Sequence, residues 1–167
     1  MSDTLPSNVG GKNICRAMWR HIEIRIESLM ITKLKTFITA VVFILLMLTE
    51  QGNSEFYSIC HTKELASILR TQIAQIITSS SALSKHFFVS KSDMGKIKCL
   101  LNGSWYEPRV AEANKNNGIR PSVFCADEVG AFKDRGNINA MQSGQRNVLN
   151  PMRISCTTAY AILVCRM

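Results

Sequence analysis

The stretch SVFCADE, residues 122–128, decides the fold class of this sequence. Five small or apolar residues are followed directly by two acids, Asp127 and Glu128. A short apolar run without alternation is typical of a strand that is buried on both faces, as in a parallel sheet. The run RISCT at residues 153–157 has the same character. The sequence therefore predicts two buried strands, the first of which ends in a pair of carboxylates.

Segments with helical periodicity separate the predicted strands. In TKELASILRTQIAQIITSS, residues 62–80, apolar residues recur at spacings of three and four, and Thr62 is a candidate N-cap. A second helix is predicted over Thr36 to Thr49, followed by the strand FYSIC at 56–60. The segment NINAMQS at 137–143 predicts a short helix closed by Gly144. Strands that alternate with helices indicate an α/β fold with a mostly parallel sheet flanked by helices.

Two further segments have strand patterns. HIEIRIE at 21–27 alternates isoleucine with charged residues, which is typical of an edge-like strand with one face in water. KIKCLLNGSWY at 96–106 predicts a strand and a turn, with Asn102-Gly103 as a hairpin signal. Residues 1–20 have no clear period. We therefore expect residues 1–28 to form an irregular N-terminal arm with a short strand, and residues 29–167 to form one domain.

Composition narrows the class of protein. The 167 residues are 46% hydrophobic and 19% charged, which excludes the low-hydrophobicity signature of disorder. The net charge of +8 favours encounters with a polyanion such as DNA. Because the basic residues are scattered, an ordinary solvated basic surface is the alternative interpretation. No Cys-x-x-Cys pair is present, so a zinc site is not expected. The cysteines at 60, 99, 125 and 156 are expected to be reduced core residues in a cytosolic protein.

The most apolar stretch is FITAVVFILLMLT, from Phe37 to Thr49. A helix that spans a bilayer needs about 20 apolar residues, and charged residues flank this shorter stretch on both sides. We therefore expect a buried core helix. The alternative is a small single-pass membrane protein anchored by residues 37–49.

The two acids after the strand have a chemical interpretation. In a parallel α/β sheet, ligands bind beyond the carboxyl ends of the strands. One acid at that position can hold a magnesium ion, and its neighbour can polarise a water molecule for attack on phosphorus. The alternative is a pair of solvated loop acids.

Three stretches together resemble a known family. They are EFYSICHTKELASILRTQIAQII at 55–77, GIRPSVFCADEVGAF at 118–132 and SGQRNVLNPMRISCTTAYA at 143–161. In this order they resemble the ATPase domain of the large terminase subunit of tailed bacteriophages, the motor that packages DNA into proheads. The resemblance covers residues 33–161. It implies a P-loop NTPase-like fold of the RecA/ASCE type, with ATP and Mg²⁺ as cofactors.

The resemblance also implies roles for single residues. The Asp-Glu pair is similar to the family's Walker B motif, so Asp127 would serve the magnesium ion and Glu128 the attacking water. Thr157 and Thr158 look like its coupling motif, which senses the nucleotide and passes its state to parts that grip DNA. An intact protein of this family would work with double-stranded DNA, the terminase small subunit and the portal protein, as a homo-oligomer in the cytoplasm of the bacterial host and away from any membrane.

A phosphate-binding loop follows the pattern Gly-x-x-x-x-Gly-Lys-Ser/Thr. The candidate is LMITKLKT at 29–36, where Lys35 and Thr36 match the last two positions and the Thr36 hydroxyl would share the magnesium ion. Leu29 and Leu34 stand where the pattern has glycine, and Leu34 is expected to crowd the loop. The rival is GGKN at 10–13, which lacks the hydroxyl residue, and a third possibility is that neither site cradles phosphate.

The family continues beyond the coupling motif into further ATPase-domain structure and an RNase H-like nuclease, whose acidic ligands have no counterpart here. We therefore expect a partial, incomplete terminase ATPase domain from a tailed phage or prophage, with ATPase activity and no nuclease activity. The alternative within the same ancestry is a catalytically silent prophage remnant.

Overall fold

The computed structural model describes residues 22–27, 32–112, 116, 118–132 and 135–157. These residues form a mixed seven-stranded sheet with helices on its faces. The elements are, in chain order, β1 (Ile22–Glu27), α1 (Thr32–Thr49), β2 (Glu55–Cys60), α2 (Lys63–Ser79), α3 (Ser81–Ser84), β3 (Phe87–Val89), β4 (Ile97–Cys99), β5 (Trp105–Val110), β6 (Val123–Asp127), α4 (Gly136–Gly144) and β7 (Met152–Thr157). Short 3₁₀ turns follow β6 at Val129–Ala131 and α4 at Gln145–Asn147.

The strand order is β1-β7-β6-β2-β5-β4-β3. The five strands from β1 to β5 in this order run parallel, whereas β4 and β3 are antiparallel additions at one edge. The predicted mostly parallel α/β sheet is therefore confirmed. The strand predicted at 21–27 is also confirmed, because β1 forms the other edge of the sheet.

Helices α1 and α2 pack against one face of the sheet. The buried face of α1 carries apolar residues at helical spacing, and its Phe43 ring meets Phe56 and Tyr106 edge-on, with centroids 6.0 and 5.4 Å apart. The opposite face of α1 is not covered by the described residues, since Phe37 is 47% and Leu45 is 56% exposed. The predicted buried core helix is thus buried on one side only. Among the described helices, none has the length and hydropathy needed to cross a membrane.

Helix α1 begins at Thr32, four residues before the predicted start at Thr36. Residues 32–35 contain two lysines and a single apolar residue, so the apolar pattern does not favour extending the helix backwards. Lys35 consequently lies within the first turn of α1. The predicted N-cap of α2 is confirmed, because the Thr62 hydroxyl accepts a hydrogen bond of 3.3 Å from the Leu65 amide.

Helix α4 covers the other face of the sheet, where Met141 packs with Tyr57, Ile59 and Phe124. The helix ends at Gly144, as predicted, but for a different reason. The φ angle of Gly144 is −63°, an ordinary helical value. A Cβ atom at this position would instead lie 2.1 Å from the carbonyl oxygen of Ile119. Glycine is therefore needed here for close packing against the loop that leads into β6.

The Asn102-Gly103 turn joins β4 to β5 as an antiparallel hairpin, as the sequence predicts. Gly103 has a φ angle of 76°, which favours glycine. The Asn102 side chain donates to the carbonyl oxygens of Met47 and Glu50, so the turn is fastened to the end of α1. Strand β3 was not predicted, because it is only three residues long and its central Phe88 is exposed.

The four cysteines predicted to be core residues are free and buried. Cys99, Cys125 and Cys156 belong to the core between the sheet and α1 and α2, and Cys60 is buried at the end of β2. This prediction is confirmed. Cys15 and Cys165 lie outside the described residues.

Candidate functional site

Asp127 is the last residue of β6, in the middle of the parallel part of the sheet. It pairs with Cys156 of β7, and on its other side β2 ends at Cys60, one residue after the Ile59 to Ala126 pair. Residues at the same level of neighbouring parallel strands project from the same face of a sheet. Cys156 belongs to the core under α1, so this row of side chains faces α1.

Lys35, in the first turn of α1, lies near this row, and Thr39, one turn later, contacts it at Cys156. Lys35 is only 6% exposed, and its charge acts on both Asp127 and Cys156. Thr36, the next residue, is half-buried. The structure therefore brings Lys35 and Asp127 near each other, although they are far apart in the sequence. The N-terminus of α1 lies at the same place, and a helix N-terminus favours anions because its first N–H groups point out of the helix end.

The environment of Asp127 opposes its negative charge. Burial is the largest effect and raises the pKa of the carboxyl group, and the neighbouring Glu128 carboxylate raises it further. A hydrogen bond of 3.0 Å from the Glu128 amide to Asp127 Oδ1 lowers the pKa, and so does the charge of Lys35. A half-buried carboxylate in this setting would be stabilised by an additional cation.

Glu128 turns the chain away from the sheet. Its φ and ψ angles are 53° and 47°, in the left-handed region that residues with a side chain rarely adopt. The turn continues as the 3₁₀ helix Val129–Ala131, which the Glu128 carbonyl oxygen caps by accepting a 2.8 Å hydrogen bond from the Ala131 amide. Strained backbone of this kind is often found at functional sites.

Thiols surround the acid on both neighbouring strands. Burial, together with the carboxylates of Asp127 and Glu128, raises the pKa of Cys60 to about 12. A hydrogen bond between Cys125 and Cys156 raises the pKa of Cys125 and lowers that of Cys156. The Thr39 hydroxyl lies 3.7 Å from the Cys156 sulfur and also lowers its pKa.

The residue types at this site fit a nucleotide with magnesium. Lys35 and the start of α1 offer positive charge for phosphate, and Asp127 and Thr36 offer oxygen atoms for the metal. Among the described residues, no group of three or more His, Cys, Asp or Glu side chains could hold a metal ion. Magnesium does not require such a group, because it keeps several waters and takes other ligands from phosphate oxygens.

For other residues singled out in the sequence, the structure describes only the backbone or nothing. Thr157 ends β7, next to Cys156, and its side chain lies outside the described residues, as do Thr158 and the GGKN stretch at 10–13. Thr39, Cys60 and Cys156 were not predicted as neighbours of the site. Thr39 could have been found by its spacing, since it lies four residues after Lys35 and so shares its helix face.

Solved structures with a similar fold are phage large terminases. The chain is 19% identical to the large terminase of bacteriophage HK97, with a TM-score of 0.71 over 83% of this chain and 29% of that chain. The large terminase ATPase domain of Thermus phage P74-26 gives 12% identity and a TM-score of 0.66 over 88% of this chain and 63% of that one. A large terminase from a thermophilic bacteriophage, in complex with ADP, gives 12% identity and a TM-score of 0.57, over 80% of this chain and 33% of that one.

These likenesses show that the fold is that of a terminase ATPase domain, which is P-loop NTPase-like. The chain spans about a third or less of the HK97 protein and of the ADP-bound large terminase. A comparison with curated protein sequences finds no match. Residues 14–167 match the family described as "Terminase large subunit, ATPase domain". The chain therefore belongs to the family of terminase large subunit ATPase domains.

Proposed function

We propose that this chain binds magnesium-ATP between the start of α1 and the carboxyl ends of β6 and β7, and hydrolyses it as the ATPase domain of a phage DNA-packaging motor. The observation that carries the proposal is the burial of Lys35 in the first turn of α1, within electrostatic range of Asp127. A buried lysine and a half-buried carboxylate at the ligand-binding edge of a parallel sheet are costly unless they serve a ligand or one another.

Each residue has a distinct part in this proposal. Lys35 binds phosphate oxygens, with the N–H groups at the start of α1 as further donors. Thr36 and Asp127 hold the magnesium ion, which when bound neutralises charge that develops on the phosphates. The flanking thiols of Cys60 and Cys156 exclude water from one side of Asp127 and so strengthen its attraction for a cation.

Glu128 is proposed to orient the attacking water and accept its proton. Its carboxylate follows the metal-binding acid directly, and the left-handed turn at Glu128 makes its orientation differ from that of the strand residues. A positioned base of this kind contributes about 10²- to 10⁴-fold to a rate. Removing its proton-accepting ability should therefore reduce turnover much more than binding.

Wider roles of the chain rest on its family membership. We propose that Thr157 and Thr158 couple the nucleotide state to DNA, and that residues 29–167 are the ATPase part of a larger assembly. Double-stranded DNA, the terminase small subunit, the portal protein and further copies of the chain are its proposed partners, in the cytoplasm of a bacterial host. The net charge of +8 supports contact with DNA. The ADP bound by the large terminase of a thermophilic bacteriophage supports nucleotide binding.

A catalytically silent remnant is the second candidate, and one observation favours it. Leu34 lies inside the first turn of α1 rather than in a glycine-containing loop, so the backbone before Lys35 is helical and carries a branched side chain. Such a segment wraps phosphates less closely than a glycine-rich loop does. Nucleotide affinity is therefore expected in the millimolar range.

Calorimetry with ATP and magnesium, followed by a phosphate-release assay, tests the proposal. The wild-type chain should bind ATP only with magnesium and release phosphate, and Asp127→Asn should lose both. Asp93→Asn is the matched control, since Asp93 lies exposed in the loop between β3 and β4. A folded wild-type chain that neither binds nor hydrolyses ATP at millimolar concentration would contradict the proposed function and leave the family membership intact.

A further inference from the structure

The contact between Thr39 and Cys156 joins the helix of the proposed nucleotide site to the strand next to Asp127. The Thr39 hydroxyl and the Cys156 sulfur are 3.7 Å apart, and both side chains are buried. The two residues are 117 positions apart in the sequence, so the contact exists only in the folded chain. A buried polar contact between two elements constrains their relative position, because separating the two groups would remove a hydrogen bond that water does not replace in the core.

Thr39 is placed to follow movements of Lys35. The two residues are four positions apart on α1, on the same buried face of the helix. A helix transmits a small displacement along its axis as a rigid body over one turn. A ligand that pulls or pushes Lys35 at the end of α1 therefore displaces the Thr39 hydroxyl against its partner on the sheet.

Cys156 lies between two neighbouring strands, so a displacement of its side chain acts on both. It pairs with Asp127 on β6 and with Ile26 on β1, and β7 lies between these two strands. Its thiol is also hydrogen-bonded with that of Cys125. The next residue along β7 is Thr157, where the described strand ends. A shift of Cys156 would therefore change the positions of Asp127 and of the carboxyl end of β7.

From this geometry we infer that Thr39 and Cys156 form a positioning pair that transmits the nucleotide state of α1 to the carboxyl end of β7. The inference rests on the proposed nucleotide binding at Lys35 and deepens it. The nucleotide is proposed to bind at Lys35, one helical turn from Thr39, so the pair is assigned a positioning role and not a catalytic one. Energetic coupling between the two sites distinguishes transmission from packing, and the test therefore measures coupling.

Hydrogen exchange measured by mass spectrometry, with and without a non-hydrolysable ATP analogue and magnesium, provides that test and needs no turnover. In the wild-type chain, the bound analogue should slow exchange of the amides at 153–157. Thr39→Val keeps the shape of the side chain and removes its hydroxyl. It should bind the analogue with an affinity within about twofold of wild type. The factor by which the analogue slows exchange at 153–157 should be about fivefold smaller than in wild type, which corresponds to one hydrogen bond of about 1 kcal/mol.

Conservative variants separate transmission from a merely structural role. Thr39→Ser keeps the hydroxyl and should restore the slowing. Thr49→Val is the matched control, because the Thr49 hydroxyl, on the same helix, donates only to the Leu45 carbonyl oxygen among the described residues. Cys156→Ala removes the contact from the strand side and serves if Thr39→Val does not fold. The double variant should lose no more slowing than either single variant, because both remove one shared contact.

The outcomes are distinct. Undiminished slowing at 153–157 in Thr39→Val, or equal loss in Thr49→Val, would overturn the inference while the proposed function stands. Exchange at 153–157 that is faster in Thr39→Val by the same factor with and without the analogue, so that the analogue still slows it as in wild type, would show a structural contact only and would also overturn the inference. Failure of the wild-type chain to bind the analogue would instead contradict the proposed function itself.

Discussion

Lys35, in the first turn of α1, lies close enough to Asp127, at the end of β6, for its charge to lower the pKa of that carboxyl group. Lys35 is buried and Asp127 is half-buried, and the N-terminus of α1 lies at the same edge of the sheet. This relationship joins the two halves of the proposed nucleotide site, which the sequence separates by the helices α2 and α3 and the strands β2 to β5.

Lys35→Ala should weaken magnesium-ATP binding by about 10- to 100-fold, the effect of losing one or two hydrogen bonds to a charged group. Calorimetric titration measures this affinity. Lys63→Ala is the control, because Lys63 is exposed at the first position of α2 and should leave the affinity unchanged. Equal affinities for Lys35→Ala and wild type would show that phosphate does not bind at α1.

Glu128→Gln should lower the rate of phosphate release by about 10²- to 10⁴-fold and leave ATP affinity near the wild-type value. The amide keeps the size of the side chain and removes its ability to accept a proton. Steady-state kinetics separate the two effects as a fall in kcat without a rise in KM. A large rise in KM with an unchanged kcat would assign Glu128 to binding instead.

Leu34→Gly should raise both ATP affinity and turnover, because glycine lets the backbone before Lys35 adopt the conformations that wrap phosphate. The substitution also costs helix stability, by about 1 kcal/mol. Leu45→Gly carries the same cost on the same helix, at an exposed residue far from Lys35, and is therefore the control. Absence of turnover in both the wild-type chain and a folded Leu34→Gly protein would favour the catalytically silent remnant.

Gly144→Ala should destabilise the fold by about 1–3 kcal/mol, because its Cβ atom would collide with the Ile119 carbonyl oxygen at 2.1 Å. Urea unfolding followed by circular dichroism measures the change in the free energy of unfolding. Ser143→Ala, at the exposed neighbouring position of α4, should change it by less than about 0.5 kcal/mol. Equal stabilities for Gly144→Ala and wild type would contradict the close approach of α4 to this loop.

Cys60 should resist alkylation in the folded chain. Burial raises its pKa to about 12, so almost no reactive thiolate is present at pH 8. Iodoacetamide labelling, read by peptide mass spectrometry, should modify Cys60 only after unfolding in urea. Rapid labelling of Cys60 in the native protein would indicate that the end of β2 is open to solvent.

Local patterns in the sequence predicted the two residues, Lys35 and Asp127, that lie near each other at the carboxyl edge of the sheet. Asp127 was predicted because a buried parallel strand requires a continuous apolar run, and the change to acids marks its end. Lys35 was predicted because a lysine and a hydroxyl residue precede an apolar helix. Features that depend on packing between distant segments could not be predicted in this way.

The Thr39 to Cys156 contact and the reason for Gly144 belong to this second kind. Each depends on which residue of another element lies opposite it in the fold. The periodicity of apolar residues in the sequence does not indicate that residue. Strand β3 is a related case, since three residues with an exposed Phe88 at the centre form a strand only because β4 offers a partner. The start of α1 was predicted too late for a similar reason. Its first turn, residues 32–35, contains a single apolar residue and so has no apolar pattern of its own.

ATP phosphates are proposed to bind against Lys35. An acyl-phosphate derivative of ATP, which acylates the lysine nearest its phosphates, tests this directly when the modified residue is located by peptide mass spectrometry. Lys35 should be acylated only in the presence of magnesium, and excess ATP should prevent its acylation. Acylation of Lys12 in the GGKN stretch, or labelling spread over exposed lysines and insensitive to ATP, would contradict this proposal.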